Sequence, residues 1–448
     1  MTLTLIAYLI IFTSLAYMAI MKKTVWGVSL YIFNLLIFPR LWWWGKNFPI
    51  SRWSFISGSI LLAAVCVDYC RNNNSSSLAS DPDMNEMRIK YRFLNERSVR
   101  IVTFLLILNY SIVHFIIAGG SSISGEVYFL ALKFLLLLFL IKSTIKTSED
   151  YFILFFTLLM CLGYLGYQVW AGGAGHTVHG RLEGLPVPSA QTSNLFASIL
   201  VLFLPSLGAF FFISKRKTVK ILSILCFPFI LNIIFLLNSR GSYLGLITAF
   251  CSLFLMARKK ERKILAIAVI GALFIVPLLA KDSKIYERFG SIFVEEDQRD
   301  YSAESRLIFW GAALDMLSDH PFGLGGHAFK KVYGMIYLEK RGIDVFRAVH
   351  NSYLDIATQW GIQGLFLHLL LIYLIFKKTL KAAQYQLLKH NAYHESFFIK
   401  ACLSGMVGFS ASSIFSNTLD EEWLYWMLAM MLGYIGLVVK KNGAVLKF

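Results

Sequence analysis

Long apolar runs alternate with short polar breaks along almost the whole chain. Runs of roughly 17 to 24 residues, enough to cross the hydrocarbon core as helices, fall near 2–20, 25–44, 52–70, 101–118, 126–143, 151–170, 194–213, 220–238, 242–257, 264–280, 353–376, 397–416 and 421–439. The pattern predicts an all-α polytopic membrane protein with about 12 transmembrane helices, or 13 if every run crosses. The second run contains Pro39 and Arg40 and ends in Trp42, Trp43 and Trp44, so one of the first two is expected to be short, re-entrant or interfacial. The first run has no basic region before it and no small-residue cleavage site after it, and is expected to stay as a mature segment.

Two polar stretches divide this pattern. Residues 71–100 begin "RNNNSSSLASDPDMNE" and read as a flexible loop with a basic end. Residues 281–352 are too long for an idle connection; within them "SRLIFWGAALDMLSDHPFGLGG" predicts an amphipathic helix from near Arg306 to Pro321 and the glycines. The chain therefore divides into N-terminal helices over 1–150, central helices over 151–280 with a polar segment at 171–193, a long loop over 281–352, and C-terminal helices over 353–448.

Composition agrees: 57% of residues are hydrophobic and 15% charged, against about 25% charged in soluble domains. The net charge of +17 sits in clusters between apolar runs, "KRK" at 215–217, "RKKERK" at 258–263 and "KK" at 377–378 and 440–441. That distribution is the positive-inside signature and argues against nucleic acid as a partner. It places 171–193, 281–352 and 417–420 outside and 71–100 inside; the N-terminus is outside with thirteen spans and inside with twelve. Cys66, Cys70, Cys161, Cys226, Cys251 and Cys402 all lie in or beside apolar runs, where thiols act as small buried hydrophobes.

Candidate chemistry gathers on the outer side. In "RAVHNSYLDIATQWGIQGLF" (347–366), Ser352 and Asp355 fit a capping box, which would start a helix at Ser352 and leave His350 just outside it. Asp355, Gln359 and Gln363 repeat every four residues and should face the bundle or a wet cavity, since lipid penalises them. A helix N-terminus disfavours imidazolium, so His350 should tend to be neutral, as a general base must be; an interfacial histidine that only caps the helix is the plainer reading. Arg240, in "LLNSRGSYLGL", sits at the outer end of a hairpin where basic residues are disfavoured, so it needs an anionic partner, either a carboxylate or a phosphate. Gly241 allows a close approach there. Arg181, Arg306 and Arg347 add outer cations, which together suggest a cavity for a phosphorylated or diphosphate lipid. His176, His179, His320 and His327 are also external, whereas His368 lies deep in a span. Zinc-hydrolase and P-loop motifs are absent.

The segments "NSRGSYLG", "SRLIFWGAALDMLSDHPFGLGGHAF" and "HNSYLDIATQWGIQGL", in that order, resemble the O-antigen ligase family, whose superfamily also holds O-antigen polymerases and protein O-oligosaccharyltransferases. "GRLEGLPVPSAQTSNLFA" resembles the family's outer segment before a central span, and the likeness covers about residues 160–440. It implies a GT-C-type glycosyltransferase of the bacterial inner membrane, acting at the periplasmic face. Such an enzyme moves a glycan from undecaprenyl diphosphate to a sugar of lipid A core, with inversion and without a metal or nucleotide cofactor. Carried over by motif, His350 is the base and Arg240 and Arg306 hold the diphosphate; Arg181 matches less closely, and Arg347 is added for its place beside His350. Asn351, Tyr353 and Asp355 are expected along the substrate cavity. Polymerase and protein O-oligosaccharyltransferase activities use the same donor with other acceptors. A lipid-linked glycan transporter is the reading from a different class, although its usual midplane broken helices and inverted repeats are not evident in the sequence.

Overall fold

A computed structural model of the chain describes residues 2–46, 52–75, 95–178, 180–188, 192–279, 301–419 and 421–440. Most of the 71–100 loop, His179 and the first part of the 281–352 segment lie outside these. In order come α1 (Leu3–Met21), α2 (Val25–Leu36), α3 (Trp53–Ser75), α4 (Arg97–Ile112), α5 (Ser122–Thr144) and α6 (Ser148–Trp170). A hairpin of β1 (His176–Val178) and β2 (Arg181–Glu183) follows, then α7 (Ser193–Ile213), α8 (Lys217–Leu237), α9 (Arg240–Met256) and α10 (Lys259–Leu279). The long loop contributes α11 (Tyr301–Asp319) and α12 (Gly334–Glu339), and the chain closes with α13 (Ser352–His390), α14 (Tyr393–Ser412) and α15 (Glu422–Lys440).

Every apolar run falls on a helix, as the demand that buried backbone groups be satisfied within each segment requires. Nine helices among the described residues are long and apolar enough to cross a membrane, and Val25–Leu41 and Arg240–Met256 are shorter apolar helices. The second run is the short one: α2 has 12 residues, then a 3-10 turn at Pro39–Leu41. Polar caps start several helices, with Thr2 accepting from Leu5 N, Ser121 from Ser124 N, and a Thr147–Asp150 capping box opening α6. The small β1–β2 sheet was not anticipated. It pairs His176 with Glu183 and Val178 with Arg181 in antiparallel register, so the outer segment before α7 is not simple loop. Nor do all the cysteines behave as buried hydrophobes: Cys161 and Cys402 are buried, but Cys66, Cys70 and Cys251 are exposed.

At the centre, α14 packs on α7, α9 and α13, and α15 on α5 and α13. α15 is the most enclosed of the candidate spans. Salt bridges of Lys23 with Glu149, Lys142 with Glu96 and Lys146 with Asp68 join helices at one end of the bundle. The long loop and the hairpin lie at the other.

α13 is broken at Gly361 (φ 79, ψ 169), a conformation that side chains disfavour. The break leaves backbone groups without helical partners, and distant segments supply them. Leu324 N donates to Thr358 O (3.1 Å), Gly325 N to Gln359 O (2.9 Å), Asn109 Nδ2 to Trp360 O (3.0 Å), and Ile362 N to Pro321 O (3.0 Å). The "PFGLGG" run thus docks on the broken helix. A Cβ on Gly323 would lie 2.4 Å from Gly361 N, so only glycine permits that approach. The expected helix from Arg306 begins earlier, at Tyr301, and ends at Asp319 ahead of the glycines. Its inner face joins Phe309, Ala312, Ala313, Met316, Phe329, Leu338 and Val349 in a small separate core.

Candidate functional site

Arg240 is placed by a tight turn between two apolar helices. Asn238 closes α8 in the left-handed conformation (φ 47), and Ser239 caps α9 by accepting from Ser242 N. Arg240 is therefore the first residue of α9, where a cation opposes the helix dipole unless an anion is near. At Gly241 the close neighbour is the Phe415 side chain, whose Cβ would lie 2.8 Å from an added Cβ.

Arg181 opens β2, and the hairpin is tied to α7 because Glu183 accepts from Ser193 N (2.8 Å) and Ser193 Oγ (2.6 Å). Arg306 lies in α11. These segments are far apart in sequence, yet Arg181, Arg240 and Arg306 line one cavity of about 290 Å³, together with Asn194, Ser239, Gly241, Leu244, Ser412, Phe415 and Ser416. Burial, followed by the charges of Arg181 and Arg240, lowers the pKa of Arg306 from its usual value. Three guanidinium groups thus gather around serines and a helix N-terminus, a chemistry that suits an anion with several oxygens. Among the described residues no group of three or more His, Cys, Asp or Glu is placed to hold a metal ion.

His350 is not among the residues lining this cavity; Arg306, which does line it, is one of the charges that act on the imidazole. Its pKa is lowered, first by burial and then by the charges of Arg306, Arg347 and Lys330. Arg306 thus acts electrostatically on both the cavity and the imidazole. His350 has a left-handed backbone (φ 54), and its ring centroid lies 6.5 Å from that of Phe309 on α11. The preceding residue, Val349, is fully buried in the small core and anchors the segment. Arg347 is exposed and outside the cavity lining.

The expected cap is corrected by one residue. Asn351, not Ser352, is the N-cap, its Oδ1 accepting from Tyr353 N (3.0 Å) and Leu354 N (3.2 Å). Ser352 is the first helical residue and turns away to the α14–α15 loop. Tyr353 donates its hydroxyl to Ser410 O (2.7 Å), and Asp355 accepts from Gln359 Nε2 (2.9 Å), whose Oε1 accepts from His327 N (3.2 Å). Asn351, Tyr353 and Asp355 therefore build the start of α13 and do not line the arginine cavity. Asp355 and Gln359 share one buried face, as the four-residue spacing predicts. Gln363 lies beyond the break and reaches Phe322 O (3.1 Å) instead. His368 is buried in the bundle, 3.5 Å from Tyr110 Oη.

Sequence reasoning missed Asn194, Ser239, Ser412, Phe415 and Ser416. The available signal was "SASSIFSN" at 410–417, a hydroxyl-rich end to an otherwise apolar run.

Residues 224–369 match the protein family described as O-Antigen ligase. The match includes Arg240, Arg306, Arg347, His350 and the broken start of α13, but not Arg181 or the 413–419 loop. The middle third of the chain is thus similar to the O-antigen ligase family, and it lies within a polytopic helical membrane protein. None of the curated proteins matches the chain.

Proposed function

We propose that the protein is an O-antigen ligase, a GT-C-type inverting glycosyltransferase of the inner membrane with its site on the periplasmic face. It moves a glycan from undecaprenyl diphosphate to a sugar hydroxyl of lipid A core. The observation that carries this reading is the convergence of Arg181, Arg240 and Arg306 on one cavity, with His350 within the electrostatic reach of Arg306.

In this reading His350, neutral at pH 7, takes the proton of the acceptor hydroxyl as its oxygen attacks the anomeric carbon. General-base assistance of this kind contributes about 10²–10⁴ in rate. The bond from the anomeric carbon to the phosphate oxygen breaks, and the diphosphate leaves with the electron pair. The three guanidinium groups neutralise the charge that grows on it, the role that preorganised cations play at other leaving groups. Ser239, Ser412, Ser416 and Asn194 line the same cavity and add polar groups to it. Both substrates are amphiphiles, which suits a cavity beside the membrane.

The test is transfer in proteoliposomes from a defined undecaprenyl diphosphate donor, offering lipid A core and a second lipid-linked repeat side by side. Product on lipid A core supports the ligase; product only on the second repeat makes the protein a polymerase. Arg240→Lys keeps the charge but loses the bidentate fork, so it should weaken donor use. Undiminished transfer by that variant would argue against a guanidinium clamp.

A further inference from the structure

The loop joining α14 to α15 links the two halves of the proposed site. Phe415 and Ser416 line the arginine cavity. Phe415 lies against Gly241, beside Arg240, and its ring centroid is 6.3 Å from that of Trp310, one turn after Arg306. Ser416 Oγ is 3.3 Å from Ser198 Oγ on α7, one turn after Asn194. The loop thus touches the three helical segments that frame the cavity.

The same loop grips the start of α13 through one residue. Ser352, fully buried, donates its hydroxyl to Ser416 O (2.6 Å) and accepts from Thr418 N (2.7 Å) and Leu419 N (3.2 Å). Its own N–H donates to Ser413 O (2.9 Å). A hydroxyl suits the place because it donates and accepts at once. Alanine would take the shared partner away from one buried carbonyl and two buried N–H groups. His350 stands two residues before this staple, and Val349 holds its other side in the small core.

We propose that Ser352 is a positioning residue: by pinning the first turn of α13 to the 413–419 loop, it fixes where His350 stands relative to the arginine-lined cavity. The inference rests on His350 as base and on the arginines as the diphosphate site. The loop has its own brace, since Ser413 Oγ and Thr418 Oγ1 are 2.6 Å apart and Ser413 Oγ bonds Phe409 O (2.7 Å). Without the Ser352 hydroxyl the loop keeps this brace, whereas the first turn of α13 keeps only the Ser352 N–H bond to Ser413 O.

Ser352→Ala should lower kcat about 10²-fold, the effect of misplacing a reacting group by an ångström, with the donor KM unchanged. The pH profile should move as well. Burial first, and then the charges of Arg306 from α11, Arg347 from its own loop and Lys330 from the turn before α12, hold the His350 pKa down. An imidazole that drifts from them titrates closer to the ordinary histidine range, so the acid limb of kcat moves to higher pH. A purely structural loss would reduce the amount of active protein and leave that limb in place. Ser206→Ala, which removes an equally buried hydroxyl bonded within α7 to Phe203 O, should change neither quantity. If Ser352→Ala does not accumulate in membranes, Ser352→Cys, which keeps only a weak donor and acceptor at the same place, should give the same split more weakly. Wild-type kcat and an unmoved limb in Ser352→Ala overturn the proposal, as does a raised donor KM with unchanged kcat. An inactive His350→Ala beside a wild-type Ser352→Ala would remove the positioning role alone; an active His350→Ala would remove the base itself.

Discussion

His350 occupies a left-handed backbone position between a fully buried valine and the cap of α13, so its backbone is held on both sides. Its lowered pKa has a direct consequence for activity. The neutral ring is the working form, so transfer should be level at and above neutrality. It should fall only as the pH drops through a value below the usual histidine range of about 6.5. A pH–rate profile of the purified protein checks this, and an acid limb at or above the ordinary value would contradict it. Arg306 contributes to that depression, so Arg306→Gln should move the acid limb upward while lowering the rate about 10²-fold, as loss of one charge-stabilising donor does. Arg240 and His350 were legible as residues because each stands out against its surroundings, a cation on the disfavoured side and a histidine at a helix start. The serines of the 413–419 loop were not, since a hydroxyl at a helix end is ordinary until its partners are known.

Among the elements, the break in α13 best shows how the chain is held. A Pro-Phe-Gly-Leu-Gly-Gly run satisfies the carbonyls of Thr358 and Gln359 and the N–H of Ile362, and two glycine backbones meet where no side chain fits. Gly323→Ala should force the loop off the helix, and Gly361→Ala should strain a positive-φ position by about 1–3 kcal/mol. Both should lower the Tm of the detergent-purified protein and speed proteolysis between residues 320 and 335; unchanged melting in both would show that the docking is not stabilising. Asn351→Ala should cost about 1 kcal/mol as a lost N-cap, read by the same melting curves. Hydropathy revealed the helices because lipid leaves the backbone no other choice. It could not reveal the break, the β1–β2 hairpin or the shift of the cap to Asn351. The break depends on backbone groups meeting across long stretches of sequence and the cap on a serine that bonds to a distant loop instead of its own helix, while the hairpin's strands of three residues are too short to show an alternating pattern.

Across the whole molecule, salt bridges join helices at one end of the bundle, and the arginines and the small core of the long loop occupy the other. In the proposed orientation, read from the positive charge between the apolar runs, the cavity end faces outward. Single cysteines introduced at Phe346 and Lys215 in a background without native cysteines test it: an impermeant thiol reagent should label the first in intact cells and the second only after lysis, and the reverse pattern would invert the topology. The proposed role of His350 as base beside the arginine-lined cavity can be read in proteoliposomes with a defined undecaprenyl diphosphate donor and lipid A core. His350→Ala, inserted at wild-type levels, should transfer glycan about 10²–10⁴ times more slowly than the unaltered chain. Transfer at the wild-type rate would exclude His350 as the base.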